Sequence, residues 1–214
     1  MEMRGGRGAL IVLEGIDCSG KTTQCERIVS HLKNCSPSIP AQQMRFPDRT
    51  TPIGEMIDKY LRCESELNDQ TIHLLYSANR WELKEKIEAT LNEGVTLIVD
   101  RYAYSGVAFS SSKEGLSLEW CKNTDRGLPA PDAVIFLDTS VEKTRSRKGF
   151  GEERYEQTEF QTRVMHQYTK LIDPTWVLVD ASQSIEKVTK DILTKVKVLI
   201  EKCNSKPIKK LWVE

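Results

Sequence analysis

A chain of 214 residues is long enough for one α/β domain around a buried sheet, and its 31 basic and 31 acidic side chains cancel. With no global field, nucleic acid is not an expected partner, and any anion site has to be built locally. No apolar run reaches the roughly 18 residues of a membrane span, and the six cysteines contain no C-x-x-C pair and follow no secretory leader. Free thiols and a cytosolic or nuclear address follow, with no membrane partner. The three histidines are too scattered for a metal cluster.

The first predicted element is a strand over 9–14. It runs into Gly15-Ile16-Asp17-Cys18-Ser19-Gly20-Lys21-Thr22, and Thr23 continues into a helical pattern. A buried strand, a glycine-bounded turn and a helix are the context that G-x-x-x-x-G-K-[ST] needs to be a phosphate loop. Gly15 and Gly20 allow successive N–H groups to converge on an anion, and the helix adds its positive end. Lys21 then reaches the β- and γ-phosphates, and the Thr22 hydroxyl suits Mg²⁺. The segment points to a nucleoside triphosphate site.

Four further apolar runs, 42–46, 95–100, 133–138 and 176–180, alternate with helical patterns. The expected fold class is α/β: a five-stranded parallel sheet with helices on both faces, in a single domain over 1–214. In such sheets ligands lie beyond the carboxyl ends of the strands. Phe46-Pro47-Asp48-Arg49, Asp100-Arg101-Tyr102 and Asp180-Ala181-Ser182-Gln183 all fall there. Asp100, tipping an apolar strand, suits a metal carboxylate, and Arg101 beside it suits a phosphoryl group in transit.

Between the second and third strands the spacing predicts one long helix over 69–93. Its broad apolar surface suits either burial within the domain or pairing with a second copy. Tyr76 and Arg80 lie one turn apart on it, an aromatic plate and a planar donor suited to stacking a base and bonding its exocyclic carbonyl; equally, such pairs pack for no functional reason. After the fourth strand, 142–156 is cationic, with Arg145, Arg147, Lys148 and Arg154, and carries Gly149 and Gly151. It reads as a solvated charge run or as a lid over the phosphates.

Taken together, the phosphate loop, Phe46-Pro47-Asp48-Arg49, the segment from Leu74 to Trp81, Asp100-Arg101-Tyr102-Ala103-Tyr104-Ser105-Gly106 and Gly127-Leu128-Pro129-Ala130-Pro131-Asp132 closely resemble the thymidylate kinases of the eukaryotic and poxviral kind. The resemblance implies a P-loop kinase fold, the reaction ATP + dTMP → ADP + dTDP with Mg²⁺, and a homodimer. It places Gly15, Ser19, Gly20, Lys21, Thr22 and Thr23 on ATP, with Ser182 and Gln183 bordering adenine. Asp17 would bond the deoxyribose 3′-hydroxyl, and Arg49 and Arg101 would grip the dTMP phosphate. Asp100 would organise water around Mg²⁺ bound to Thr22. Tyr76 would stack on thymine, Arg80 bond its O4 and Ser105 lie near N3. Tyr102 would exclude a ribose 2′-hydroxyl, Phe46 and Pro47 wall the pocket, and Tyr155 close it from the lid.

One residue departs from the pattern. Cys18 stands where eukaryotic relatives usually carry Arg or Lys, so Arg145 and Arg147 of the lid are the expected substitutes. A thiol activated by the helix end is the other expectation for Cys18. Competing readings are a P-loop kinase with another acceptor, a GTP-dependent switch, although no N/T-K-x-D signature occurs, and a catalytically silent scaffold.

Overall fold

The computed structural model describes residues 6–147 and 150–213; Lys148 and Gly149 of the predicted lid lie outside them. In chain order the elements are β1 (Leu10–Glu14), α1 (Lys21–Asn34), β2 (Ala41–Arg45), α2 (Pro52–Leu61), α3 (Asp69–Trp81), α4 (Lys84–Asn92), β3 (Thr96–Asp100), α5 (Ala103–Ser110), α6 (Leu118–Asn123), β4 (Ala133–Asp138), α7 (Val141–Arg145), α8 (Thr158–Thr169), β5 (Trp176–Asp180) and α9 (Ile185–Cys203). The strands form one sheet in the order β2-β3-β1-β4-β5, every pair parallel.

The period-two geometry of a strand divides the core between two faces. Leu10 and Val12 of β1, Leu97 and Val99 of β3, and Val134 and Phe136 of β4 join the larger apolar cluster with Ile57, Ile72, Val107 and Tyr168. Their neighbours Ile11, Leu13, Ile98, Ile135 and Leu137 join the other, capped by Ile28 and Leu32 of α1 and Val188, Ile192 and Val196 of α9. Both faces of β1, β3 and β4 are therefore dry, which is why these strands read as continuous apolar runs.

The long predicted helix is two helices. α3 stops at Trp81 and α4 starts at Lys84. Glu82 is drawn aside at the break, because its carboxylate accepts from Asn79 Nδ2 and from Thr51 Oγ1, both at 2.7 Å. The Asn79 amide also grips the Asp48 backbone, accepting from its N–H at 2.8 Å and donating to its carbonyl at 3.1 Å. Polar anchoring of the 46–51 loop thus overrides helix periodicity.

Candidate active site

β1 is central, so the loop after it lies beside the turn after β3; Arg101 N donates to Leu13 O at 3.0 Å. At this edge a cleft of about 620 Å³ opens. The phosphate loop forms one end. Gly15 sits at φ +146, where a Cβ would approach Ser19 Oγ to 2.9 Å and Leu137 O to 3.0 Å; Gly20 sits at φ +101 as the cap of α1. Lys21 folds onto this loop, donating from Nζ to Ile16 O (2.7 Å), Gly15 O (3.1 Å) and Ser19 Oγ (3.2 Å). Burial, with Arg101 adding to it, lowers its pKa to about 8. Thr22 Oγ1 donates to Asp100 Oδ2 at 2.6 Å, and Arg45 Nε lies 3.8 Å from the same oxygen.

Against the loop, Arg101 (φ +66) pairs with Asp17 and donates to Gly15 O and Ser105 Oγ, each at 3.2 Å. Gln161, fully buried on α8, holds Asp17 at both ends: Nε2 donates to Oδ2 at 2.6 Å, and Oε1 accepts the Asp17 N–H at 3.0 Å. Beneath them the Glu14 carboxylate, fully buried, accepts the N–H groups of Tyr102 (2.9 Å) and Ser105 (3.1 Å) and the hydroxyls of Ser105 (2.5 Å) and Tyr168 (2.9 Å). It caps the start of α5 from a neighbouring strand, in place of any local cap. Arg49 spans Asp58 of α2 (2.6 Å) and Glu153 of the lid segment (2.7 Å), with its buried Nε unpartnered.

At the far end Phe46, Pro47, Tyr76, Arg80, Tyr102 and Phe109 line the cleft. Phe46 and Tyr102 pack with ring centroids 5.5 Å apart, and the Tyr102 hydroxyl donates to Pro129 O at 3.2 Å. Tyr155 also lines the cleft, but as part of the core. It stacks on Phe160 (5.0 Å, 15°), and its hydroxyl lies 3.2 Å from that of Tyr60.

The two expected lid arginines separate. Arg147 reaches the loop, donating to Cys18 O at 2.7 Å and to Ala181 O at 3.1 Å, whereas Arg145 is exposed on α7 and outside the cleft lining. Arg154 turns away to Glu66 and the Tyr60 ring. Ser182 is likewise exposed outside the lining, its N–H on Asp180; Ala181, Gln183, Ile185 and Val188 form that wall. Thr23, Ser19 and Ser105 do line the cleft. The surroundings of Cys18 speak against the expected thiol activation. Burial, Glu156 and Asp17 push its thiol up from the ordinary value, and Sγ lies 3.9 Å from Glu156 Oε1.

Sequence reasoning missed Glu14, Gln161, Asn79 and Asp125. Glu14 alone left a signal, a carboxylate closing an otherwise apolar strand as Asp100 does.

The family model described as thymidylate kinase matches residues 13–192. A thymidylate kinase of Arabidopsis thaliana is 51% identical over 207 residues, covering 96% of this chain and 78% of the relative. That of Homo sapiens is 46% identical over 213 residues, covering 98% and 100%. A solved thymidylate kinase structure from Candida albicans superposes with a TM-score of 0.87 at 36% identity, covering 96% of this chain and 99% of that one.

Proposed function

This chain belongs to the thymidylate kinase family, and on that premise we propose how its cleft divides its work between two nucleotides. The protein transfers the γ-phosphoryl group of ATP to dTMP, giving ADP and dTDP. The observation that carries the assignment of roles is the meeting of Lys21 with the Asp17–Arg101 pair, braced from behind by Gln161, in one cleft.

ATP occupies the phosphate-loop end. The N–H groups of 15–23 cradle its phosphates, Lys21 exchanges carbonyl partners for phosphate oxygens, and Gln183 with Ala181 and Ile185 borders adenine. dTMP enters from the other side with its phosphate on Arg101 and Arg49. Asp17 accepts the 3′-hydroxyl, Tyr76 stacks on the base, and Arg80 donates to its carbonyl. Phe46, Pro47, Tyr102, Ser105 and Tyr155 shape the wall. Arg147 supplies the cationic group that Cys18 does not, while Arg145, exposed outside the cleft lining, contributes little. With the Cys18 thiol unactivated, catalysis consists of in-line positioning and charge stabilisation.

Among the described residues no group of three His, Cys, Asp or Glu can hold a metal ion. The Thr22 hydroxyl and Asp100 carboxylate are hard oxygen donors, which fits Mg²⁺ taking most of its ligands from phosphates and water. Thr22 would hold the ion and Asp100 its water; the bound ion offsets phosphate charge.

The whole chain acts as one domain. A homodimer is supported by Leu74 and Trp81, 49% and 38% exposed on α3. No helix among the described residues is long and apolar enough to cross a membrane. A reducing cytosolic or nuclear compartment is supported by six unpaired cysteines. Coupled ADP release with dTMP, dUMP, UMP, CMP and AMP tests the acceptor. dTMP is expected to give the highest kcat/KM; saturation by ATP with no response to dTMP refutes the assignment.

A further inference from the structure

We propose that Asp125, on the turn after α6, is a positioning residue that sets which base the cleft accepts by fixing the plane of the Arg80 guanidinium. The inference rests on the reading that Arg80 faces the base.

Arg80 and Asp125 are 2% and 0% exposed. Nε donates to Asp125 Oδ1 at 3.0 Å and Nη2 to Oδ2 at 2.6 Å, a parallel fork that fixes a guanidinium in plane and rotation. The carboxylate is itself held. Ser77, one turn before Arg80 on α3, donates to Oδ1 at 2.9 Å, and the same hydroxyl lies 2.8 Å from Thr124 O. On the other side the guanidinium lies against α5 at Gly106, where a Cβ would come within 2.8 Å of Nη2 and 3.0 Å of Nη1. The arginine is thus clamped by a carboxylate at one edge and a bare backbone at its face, while it lines the cleft.

The fork uses Nε–H and one Nη2 hydrogen, leaving both Nη1 hydrogens and the second Nη2 hydrogen as the free arm. Guanidinium only donates, so a fixed arm rewards a carbonyl at the base edge and repels an amino group. Thymine and cytosine differ in just this way at the 4-position. A buried ion pair is weak evidence for stability as such, since apolar replacements are often as stable. Its worth here lies in orientation: an arginine free to rotate would lose the discrimination.

The test uses the full chain with dTMP and dCMP as acceptors. Asp125→Asn is expected to raise the dTMP KM at least tenfold and to cut the dTMP-over-dCMP preference in kcat/KM at least tenfold. The ATP KM and the kcat should stay within about twofold. In an Arg80→Ala background the same substitution should add less than threefold, because both act through one group. The proposal fails if Asp125→Asn leaves the dTMP KM within threefold, if it degrades ATP and dTMP parameters alike, or if the two penalties multiply. Should that variant not fold, Ser77→Ala loosens the carboxylate while keeping the ion pair. A threefold or greater rise in dTMP KM with ATP KM unchanged supports the proposal, and no change overturns it. Arg80→Ala with an unaltered dTMP KM removes the underlying reading, and the proposal with it.

Discussion

Glu14→Ala removes the one acceptor shared by two buried N–H groups and two hydroxyls at the start of α5. The Ser105 and Tyr168 hydroxyls lie 2.9 Å apart and can satisfy each other. The N–H groups of Tyr102 and Ser105 gain nothing nearby, and each orphaned buried donor costs about 1–3 kcal/mol. Adding the small cavity, the loss comes to about 3–5 kcal/mol, a large share of the roughly 5–15 kcal/mol that holds a domain together. In urea, with a slope of about 2–3 kcal/mol per molar, the unfolding midpoint followed by tryptophan fluorescence should fall by about 1 M or more. Glu14→Gln keeps an oxygen for both N–H groups, and its amide can donate to hydroxyls that turn round, so it should cost less than half as much. A midpoint shift below about 0.3 M for the alanine variant, or equal losses for both variants, would refute the capping argument.

Arg147→Ala should slow phosphoryl transfer more than tenfold, as loss of an electrostatic donor does in comparable sites, while Arg145→Ala changes it less than twofold; equal effects in steady-state kcat would remove the distinction. Lys21 has a folded pKa of about 8 against 10.5 unfolded, so the unfolded chain binds more protons between those values. Stability of the ligand-free protein should therefore rise with pH through that window, while ATP affinity falls above pH 8; calorimetric affinity flat to pH 9.5 contradicts this. His73, buried with a pKa lowered to about 4 by burial and by Arg80, stays neutral in the folded state. Its contribution of about 3 kcal/mol should be intact above pH 6.5 and disappear as pH falls towards 4; His73→Asn should flatten that limb in thermal melts. Cys18 should react with iodoacetamide no faster than an ordinary thiol at pH 7, and faster labelling, read by mass spectrometry, would sink the raised pKa.

The sheet was legible because its interior strands are dry on both sides and read as unbroken apolar runs. Strand bounds moved by one residue at the starts of β1 and β3 and at both ends of β2, where 9–14, 95–100 and 42–46 were expected, while edge strand β5 has the expected bounds. Local motifs disclosed the phosphate loop and the turn after β3, whose chemistry sits in consecutive residues. What stayed hidden depends on distant partners. Glu14 meets Tyr168 across 154 positions, Gln161 meets Asp17 across 144, and Asp125 meets Arg80 across 45. No periodicity encodes such meetings. The helix break at Glu82 and the parting of Arg145 from Arg147 were hidden for the same reason, since they involve contacts between distant segments, Glu82 with Thr51 and Arg147 with the carbonyls of Cys18 and Ala181.

The carboxylates on Arg49 and Arg101 also bear on which solutes can compete for the cleft. Asp58, Glu153 and Asp17 already neutralise these cations, so a bare anion gains little electrostatically by displacing them. Chloride, sulfate or inorganic phosphate would merely trade one negative partner for another. A nucleotide that adds aromatic stacking and a sugar contact arrives with the surplus needed to push the protein's own acids aside, which makes the cleft a filter against simple ions at cellular salt.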